Sequence, residues 1–320
     1  MSEATSRSSP PLEPPPHRTT VVIPAYNEAE NMPDLMEALA DAIRRDHLDV
    51  AVVLVDDGST DGTSEAAERA ATASGLENLL ILRHRRNRGK TEAIVTGARA
   101  TRSPYLVLFD ADLQHSPREI ARFVEGLDEG YDIVAGRKIG SYKKRFVSGV
   151  YNRLSRWIFR VPVHDMNSMK ALRRSVLSDL RLRKDWHRYL IALAHARGYR
   201  ITEIDIRLYP RRHGDAKYSN RGRIVIGILD LLSVWFQLVF GRKPMLFFGI
   251  TGLLLLISGA LTGLVAVYLR FGLGRGYRPL LTLVVLLVVA GLLLFVLGFL
   301  AELIASLRSE IEELREDAGK

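Results

Sequence analysis

The chain of 320 residues contains no cysteine, which excludes disulfides, thiolate metal sites and cysteine nucleophiles. Its eight histidines are scattered, and none falls in a His-Glu-x-x-His pattern, so a zinc hydrolase is not indicated. The Gly-x-Gly-x-x-Gly fingerprint of dinucleotide dehydrogenases is missing, and so is a Walker lysine loop. Residues 1–18 lack an apolar run. Rich in Ser, Pro and charge, they read as a disordered tail and not as a signal peptide. No internal repeat is visible.

What the chain does have is a sharp division of charge. Residues 1–136 carry 14 Lys/Arg against 23 Asp/Glu, a net of −9, whereas residues 137–223 carry 23 against 6, a net of +17. Residues 224–320 carry 8 against 7. A basic block this dense points to an anionic partner. Nucleic acid is a poor choice, because the block shows no recognisable binding module and runs directly into membrane-like sequence.

Leu246–Leu269 and Leu280–Leu300 contain no charged residue, and each is long enough to cross a hydrocarbon core of ~30 Å. Between them lies a short polar loop, Arg270–Arg278. Two spans return the chain to its starting side, so the first 240 residues and the tail are expected together in the cytoplasm, on a multi-pass protein of the cytoplasmic (inner) membrane. Two further segments look surface-active. Phe146–Val161 sets an apolar stripe against Arg145, Arg153, Arg156 and Arg160, as a helix lying on an anionic membrane or a core helix with a basic outer face would. Ile224–Phe240 carries Asp230 and Gln237 and reads as a juxtamembrane helix.

From Thr19 onward, strand and helix alternate. Strands are expected at Thr20–Ile23, Val50–Val55, Leu79–Leu82, Tyr105–Phe109 and Tyr131–Ala135. Helices are expected at Met32–Arg45, Ser64–Ala73 (capped near Asp61 or Thr63), Lys90–Thr101 and Pro117–Leu127. Apolar strands separated by helices imply a parallel sheet covered on both faces. After Arg137 the alternation breaks down.

Four polar clusters fall at strand ends. Pro24, Ala25, Tyr26, Asn27 and Glu28 follow the first strand, and Asp56, Asp57, Gly58 and Ser59 the second. Asp110, Ala111, Asp112 and Gln114 follow the fourth, and Gly136 and Arg137 the fifth. In a parallel sheet these ends share one edge, so the clusters converge on one crevice. Tyr26 can cover a base or sugar face, and the Asp57 carboxylate can accept hydrogen bonds from a base or ribose. Asp110 and Asp112 point the same way along the strand and offer hard oxygens to a divalent cation that also grips phosphates.

Pro24-Ala25-Tyr26-Asn27-Glu28, Asp56-Asp57-Gly58-Ser59-Thr60-Asp61-Gly62-Thr63 and Asp110-Ala111-Asp112-Leu113-Gln114-His115 resemble the signature blocks of family 2 glycosyltransferases. The branch that matches best contains dolichyl-phosphate mannose synthases and bacterial polyprenyl-phosphate glycosyltransferases. The likeness continues through Gly136-Arg137, Gly198–Ile204 and Arg211–Lys217, and covers nearly the whole chain from Thr20. The Gln-x-x-Arg-Trp motif of processive polymer synthases is missing.

The resemblance implies a GT-A type, Rossmann-like α/β fold with a mostly parallel sheet and helices on both faces. Juxtamembrane helices and a C-terminal two-helix transmembrane hairpin would complete it. The expected organisation is a tail at 1–18 and a catalytic domain at 19–220. A juxtamembrane amphipathic helix at 221–243, two transmembrane helices at 244–304 and a charged cytoplasmic tail at 305–320 follow.

By the same resemblance, Pro24, Tyr26, Glu28, Val55, Asp57, Asp110 and Ala111 would meet the donor nucleotide. Asp110, Asp112 and Gln114 would hold Mg²⁺ or Mn²⁺, and Arg137, Arg211 and Lys217 would contact donor and acceptor phosphates. Asp112 and Arg137 are the expected catalytic pair. Two departures bear on the acceptor: Ala216 stands where relatives have Ser, and Ser148-Gly149 where they often have Ser-Arg. Arg145 or Arg153 can substitute for the missing guanidinium. Asp165 also falls in the acceptor region.

The implied activity is transfer of a hexose, mannose or glucose first, from a GDP- or UDP-linked donor to a polyprenyl or dolichyl phosphate in the bilayer. A phosphate monoester has a second pKa of ~6 and is largely a dianion near neutral pH, so attack at the anomeric carbon needs no general base. Two alternatives stay open. The same donor chemistry on a glycolipid hydroxyl would need a carboxylate base, with Asp165 or Asp185 the nearest candidates. A non-catalytic membrane adaptor for lipid-linked sugar transport would leave the metal constellation without a purpose.

Overall fold

The computed structural model describes residues 17–139, 159, 161–180, 182–183, 186–211, 232–236, 238–241 and 243–317. The chain forms two compact units, Met1–Arg221 and Gly222–Lys320.

The first unit begins with β1 (Thr19–Ala25), α1 (Met32–Arg45), β2 (Val50–Asp56), α2 (Thr63–Ser74), β3 (Leu79–Arg83) and α3 (Lys90–Arg99). Then come β4 (Tyr105–Leu108), α4 (Ile120–Asp128), β5 (Ile133–Ile139), β6 (Lys170–Arg173), α5 (Arg174–Leu180), α6 (Leu190–Ala196) and β7 (Ile201–Arg207). The strands make one sheet in the order β3-β2-β1-β4-β6-β5-β7. β1 pairs in parallel with β2 and β4, β2 with β3, and β5 with β7, while β6 runs antiparallel between β4 and β5.

Burial on both faces explains the composition of the central strands. β2 is Val-Ala-Val-Val-Leu-Val-Asp and every residue of it is buried, which suits β-branched side chains. Alternate residues serve opposite layers. Val21 and Ile23 join Leu35, Met36 and Leu39 of α1 and Phe123 and Leu127 of α4. Val22 instead joins Ile94 of α3, Val176 and Leu177 of α5 and Leu190 of α6. The i, i+3, i+4, i+7 spacing of Met32, Leu35, Met36 and Leu39 gives α1 its buried stripe.

Two departures follow from local chemistry. The break after Arg137 corresponds to β6, a Lys-Ala-Leu-Arg strand too short and too charged to signal itself, inserted antiparallel where the sequence implied none. Tyr131–Ala135 shifts to Ile133–Ile139, because β7 pairs in register from Ile133↔Ile201 to Ile139↔Arg207. The chain winds outward from β1 to β3 and then returns to β4 beside β1, so the crevice where strand order reverses lies at the β1 and β4 ends.

In the second unit, α7 (Pro244–Phe271) and α8 (Arg278–Asp317) form an antiparallel hairpin. Both are long and apolar enough to cross a membrane, and only 17% and 6% of their most apolar windows are buried within the protein. A core helix of a soluble domain would be mostly covered, so this exposure favours lipid as the missing surroundings. The helices touch backbone to backbone: a Cβ on Gly252 would lie 2.7 Å from the Gly291 carbonyl oxygen, and one on Gly291 2.8 Å from that of Gly252. Glu302 of α8 accepts the backbone N–H of Met245 at 3.1 Å, at the start of α7 where the helix dipole favours a carboxylate. The connecting loop is shorter than Arg270–Arg278, and α8 carries the charged tail in helical form as far as Asp317. Of the expected Phe146–Val161 helix only Phe159 and Val161 are among the described residues. Of Ile224–Phe240, residues 232–236 and 238–240 are described, and they are helical.

Candidate active site

The loops after β1 and β2 are built against each other. Asn27 donates its backbone N–H to Ser59 Oγ at 2.9 Å, and its side-chain oxygen accepts the N–H of Thr60 at 2.9 Å. Glu28 N–H reaches Thr63 Oγ1 at 2.9 Å and Ala29 N–H reaches Asp61 Oδ2 at 3.0 Å. Asp61 Oδ1 also accepts the Thr63 N–H at 3.1 Å, but the N-cap of α2 is Gly62, at φ 83°, and not Asp61 or Thr63. Asn27 sits at φ 52°, a left-handed conformation that is uncommon outside glycine. Pro24, Tyr26 and Glu28 are half-buried around this loop.

At the end of β2 the acidic pair faces inward. Asp56 is fully buried, accepting the Ser59 N–H at 2.7 Å and the Ser64 hydroxyl at 2.5 Å. Asp57 is 3% exposed. Its Oδ1 lies 2.7 Å from His84 Nδ1 and accepts the Arg88 N–H at 2.9 Å, while Oδ2 accepts the Gly89 N–H at 2.7 Å. Asp57 therefore anchors the loop between β3 and α3, and protein donors fill most of the capacity that sequence reasoning reserved for a nucleoside. Gly58 is required here: it sits at φ +76°, and a Cβ would lie 2.6 Å from the Arg86 carbonyl carbon. Val55 is wholly buried beside Val53 and Ala93, so its side chain belongs to the core packing under α3.

The β4 end is different. Asp110 is partly exposed, and its Oδ1 accepts from Lys90 Nζ at 2.5 Å. Burial alone would raise its carboxyl, but the Lys90 ammonium outweighs that and draws it well below the usual range. Asp112 is 9% exposed; its Oδ2 lies 2.9 Å from Arg211 Nη2 and its Oδ1 accepts the Gln114 N–H at 3.2 Å. Burial and then the nearby Asp110 charge raise the Asp112 carboxyl, with Arg211 opposing. Ala111 is buried between the two. Leu113, at φ 52°, turns the chain so that Gln114 follows, and the Gln114 side-chain oxygen lies 3.5 Å from Arg211 Nε. Asp110, Asp112, Gln114 and Arg211 are thus brought together.

Other expected residues are placed apart or are committed elsewhere. Arg137 donates to both oxygens of Asp205, at 2.5 and 2.8 Å, and stands 3.5 Å from Glu203, because β5 and β7 pair in parallel and set these residues side by side. The guanidinium expected on phosphate is engaged by carboxylates. Asp165 is 6% exposed and accepts the Asn167 N–H at 2.9 Å, with Lys138 Nζ at 3.4 Å. Lys217, Arg145, Ser148, Gly149, Arg153, Asp185 and Ala216 lie outside the described residues.

Sequence reasoning passed over His84, Lys90, Lys170 and His187. The first two follow β3, which ends at the same edge as its neighbours, so the same strand-end signal reaches them. The His187 ring shares a hydrogen with Thr91 at 2.9 Å, and burial followed by the Lys90 and Lys170 charges pushes its imidazole far down. His115 is buried, its Nδ1 has no hydrogen-bond partner among the described residues, and burial lowers it to about 4 against the pull of Asp110.

A divalent cation fits the donor set at the β4 end. No group of three His, Asp or Glu ligands occurs among the described residues, so Asp110, Asp112 and the Gln114 amide would leave several positions to phosphate oxygens and water, as Mg²⁺-type sites do. Positive charge already rests against both carboxylates, supplied by Lys90 and Arg211.

Residues 20–181 match the family model described as glycosyl transferase family 2, just over half of the chain. The chain belongs to glycosyl transferase family 2. As such it is a glycosyltransferase, and its sheet, with helices on both faces, is the GT-A fold. Over 299 residues it is 34% identical to a dodecaprenyl-phosphate galacturonate synthase of Rhizobium johnstonii, covering 89% of this chain and 87% of the relative. It is 28% identical over 307 residues to an undecaprenyl-phosphate 4-deoxy-4-formamido-L-arabinose transferase of Klebsiella pneumoniae, covering 93% and 91%. Among solved structures, glucosyl-3-phosphoglycerate synthase of Mycobacterium tuberculosis, crystallised with Mg²⁺ and UDP, matches with a TM-score of 0.53 at 21% identity. That match covers 68% of this chain and 79% of the other.

Proposed function

We propose that this family 2 enzyme moves a single glycosyl group from a nucleotide-sugar to a polyprenyl phosphate, with inversion, giving a lipid-linked monosaccharide. The observation that carries the reading is the β4 edge, where two carboxylates one residue apart stand against the exchangeable cationic tips of Lys90 and Arg211. The apolar hairpin and the polyprenyl-phosphate acceptors in the relatives' names support a lipid acceptor. The relatives' sugars, a galacturonate and a formamido-pentose, widen the donor beyond mannose and glucose.

Asp110, Asp112 and Gln114 would hold Mg²⁺ or Mn²⁺, which when bound supplies Lewis-acid stabilisation of the departing diphosphate. The residues of the chain do the rest. The braced loops after β1 and β2, with Pro24, Tyr26, Glu28 and the backbone that Asp57 anchors, receive the nucleoside. Lys90 and Arg211, once released from the aspartates, reach phosphate, and Lys217 and Arg137 belong with them only if Arg137 exchanges Asp205 for a ligand. The acceptor monoester arrives already ionised, so no residue need act as base, and the commitment of Asp165 to Lys138 and Asn167 agrees with that. The catalytic unit is assigned to the cytoplasmic face of an inner membrane.

The full-length enzyme in detergent, given Mg²⁺ or Mn²⁺ and a polyprenyl phosphate, should be screened against UDP-galacturonate, UDP-glucose, UDP-N-acetylglucosamine and GDP-mannose. Glycosylated lipid phosphate from one donor, abolished by chelator, is expected. Equal use of free polyprenol would overturn the base-free mechanism, and no transfer from any donor would sink the assignment.

A further inference from the structure

Lys170 opens β6 and pairs with Leu108 of β4 on one side and Ala135 of β5 on the other. Directly paired residues share a face of the sheet, and Asp110 lies two residues beyond Leu108, so Lys170 stands on the Asp110 side of the same edge. It is 6% exposed, and its ammonium has neither a hydrogen-bond nor an ion-pair partner among the described residues. The carboxylates near enough to act on it, Asp110 and Asp165, are engaged by Lys90 and Lys138. His187 adds no negative charge and is itself driven neutral by the same lysines. The Lys170 Nζ is not among the sealed, unsatisfied atoms, so a largely buried cation with no direct counter-ion keeps its tip open to a ligand at this edge.

We propose that Lys170 binds an anionic oxygen of a substrate phosphate, from either the donor diphosphate or the acceptor monoester. The inference rests on the glycosyl-transfer reading above and assigns to that site a cation carried on the antiparallel strand. Burial and the Lys90 charge lower the Lys170 ammonium to about 8, which agrees with a charge kept for a ligand and not for a structural pair.

The test compares the wild-type enzyme with Lys170→Met and Lys170→Arg, full-length and in detergent. UDP and GDP binding in the presence of Mn²⁺ is measured by calorimetry, KM for a polyprenyl phosphate by assay, and melting temperature by scanning fluorimetry. Lys170→Met should lose about 10- to 100-fold in one of the two substrate parameters, the range for a charge-assisted hydrogen bond, and Lys170→Arg should recover part of it. Its melting temperature should stay level or rise, because an unpaired buried charge has been removed. Weakened nucleotide binding assigns the donor diphosphate, and a raised lipid-phosphate KM at unchanged nucleotide affinity assigns the acceptor. Unchanged values for both overturn the proposal, and so does a fall in melting temperature with every parameter declining together. The nucleotide titration does not depend on turnover, so failure of the transfer assay alone counts against the function and not against Lys170.

Discussion

Asp56 ends β2 and Asp57 follows it, Asp110 and Asp112 follow β4, and the two acidic pairs lie on either side of the β1 end along one sheet edge. The first pair is met almost wholly from inside, by backbone N–H groups, a serine hydroxyl and the His84 ring, with only Arg83 approaching Asp56 at 3.7 Å. The second pair is met chiefly by the ends of long basic side chains, Lys90 and Arg211, with a single backbone donor, the Gln114 N–H, on Asp112. Backbone donors cannot leave without unfolding a loop, whereas an ammonium or guanidinium on a flexible stem can turn to another anion. Identical residue types are thus held in two ways, one fixed by the fold and one by side chains that can exchange.

The largest expected effect is at the β4 pair. Asp112→Asn should lower kcat/KM by on the order of 10²- to 10³-fold, while its melting temperature stays level or rises. The sign follows from the raised Asp112 carboxyl: the folded state holds that proton more tightly than the unfolded one, so ionised Asp112 opposes folding near neutral pH. A cooperative loss of both activity and stability would erase the contrast with Asp57.

Asp57→Asn should do the reverse, destabilising by about 1–3 kcal/mol through the loop it anchors. At roughly 2–4 °C per kcal/mol, this is readable as a lowered melting temperature of the unliganded protein. An unchanged melting curve would show that Asp57 is a ligand contact after all.

A pH series separates the cation on β6 from both pairs. Lys170 is surrounded by Lys90, Lys138, His187, Asp110 and Asp165, and its folded value near 8 lies below the ordinary lysine value of 10.5. Between these values the unfolded chain binds the extra proton, so the Lys170 contribution to stability rises with pH from about 8 to 10.5. The wild type minus Lys170→Met difference in melting temperature should therefore climb across that window. A flat difference would place an undetected anion beside the ammonium. The smallest change belongs to Glu92→Gln: loss of the exposed pair between Arg88, just before α3, and Glu92 in its first turn should shift stability by less than ~0.5 kcal/mol, and a larger shift would mean that α3 transmits strain to Lys90.

The fold was legible wherever burial is two-sided. Val50–Val55 and Tyr105–Phe109 announce themselves as apolar runs, and Met32–Arg45 by its stripe, so the β1 to α4 half follows from pattern alone. β6 does not, because the terminal cations of Lys170–Arg173 mask a four-residue strand whose place is set by partners 35 to 68 residues away in the chain. The site divides along the same line. Asp110, Asp112 and Gln114 are contiguous and readable, and Arg211 was reachable only through family resemblance. The pairing of Arg137 was not legible, because its carboxylate partner, Asp205, comes from a strand that local pattern did not identify. Lys170 could not be found from spacing at all, since no local signal links it to Asp110.

The crossing of Gly252 and Gly291 bears on how the two apolar helices hold together. With backbone resting on backbone, the two helices cannot slide or rotate past one another without first separating, so the pair moves as one rigid element. Gly291→Leu should preserve the hydrophobicity of each helix yet abolish cysteine cross-linking between introduced pairs near the crossing. A hairpin of this kind resists twisting between its two helices, whereas two independent helices would turn freely past one another.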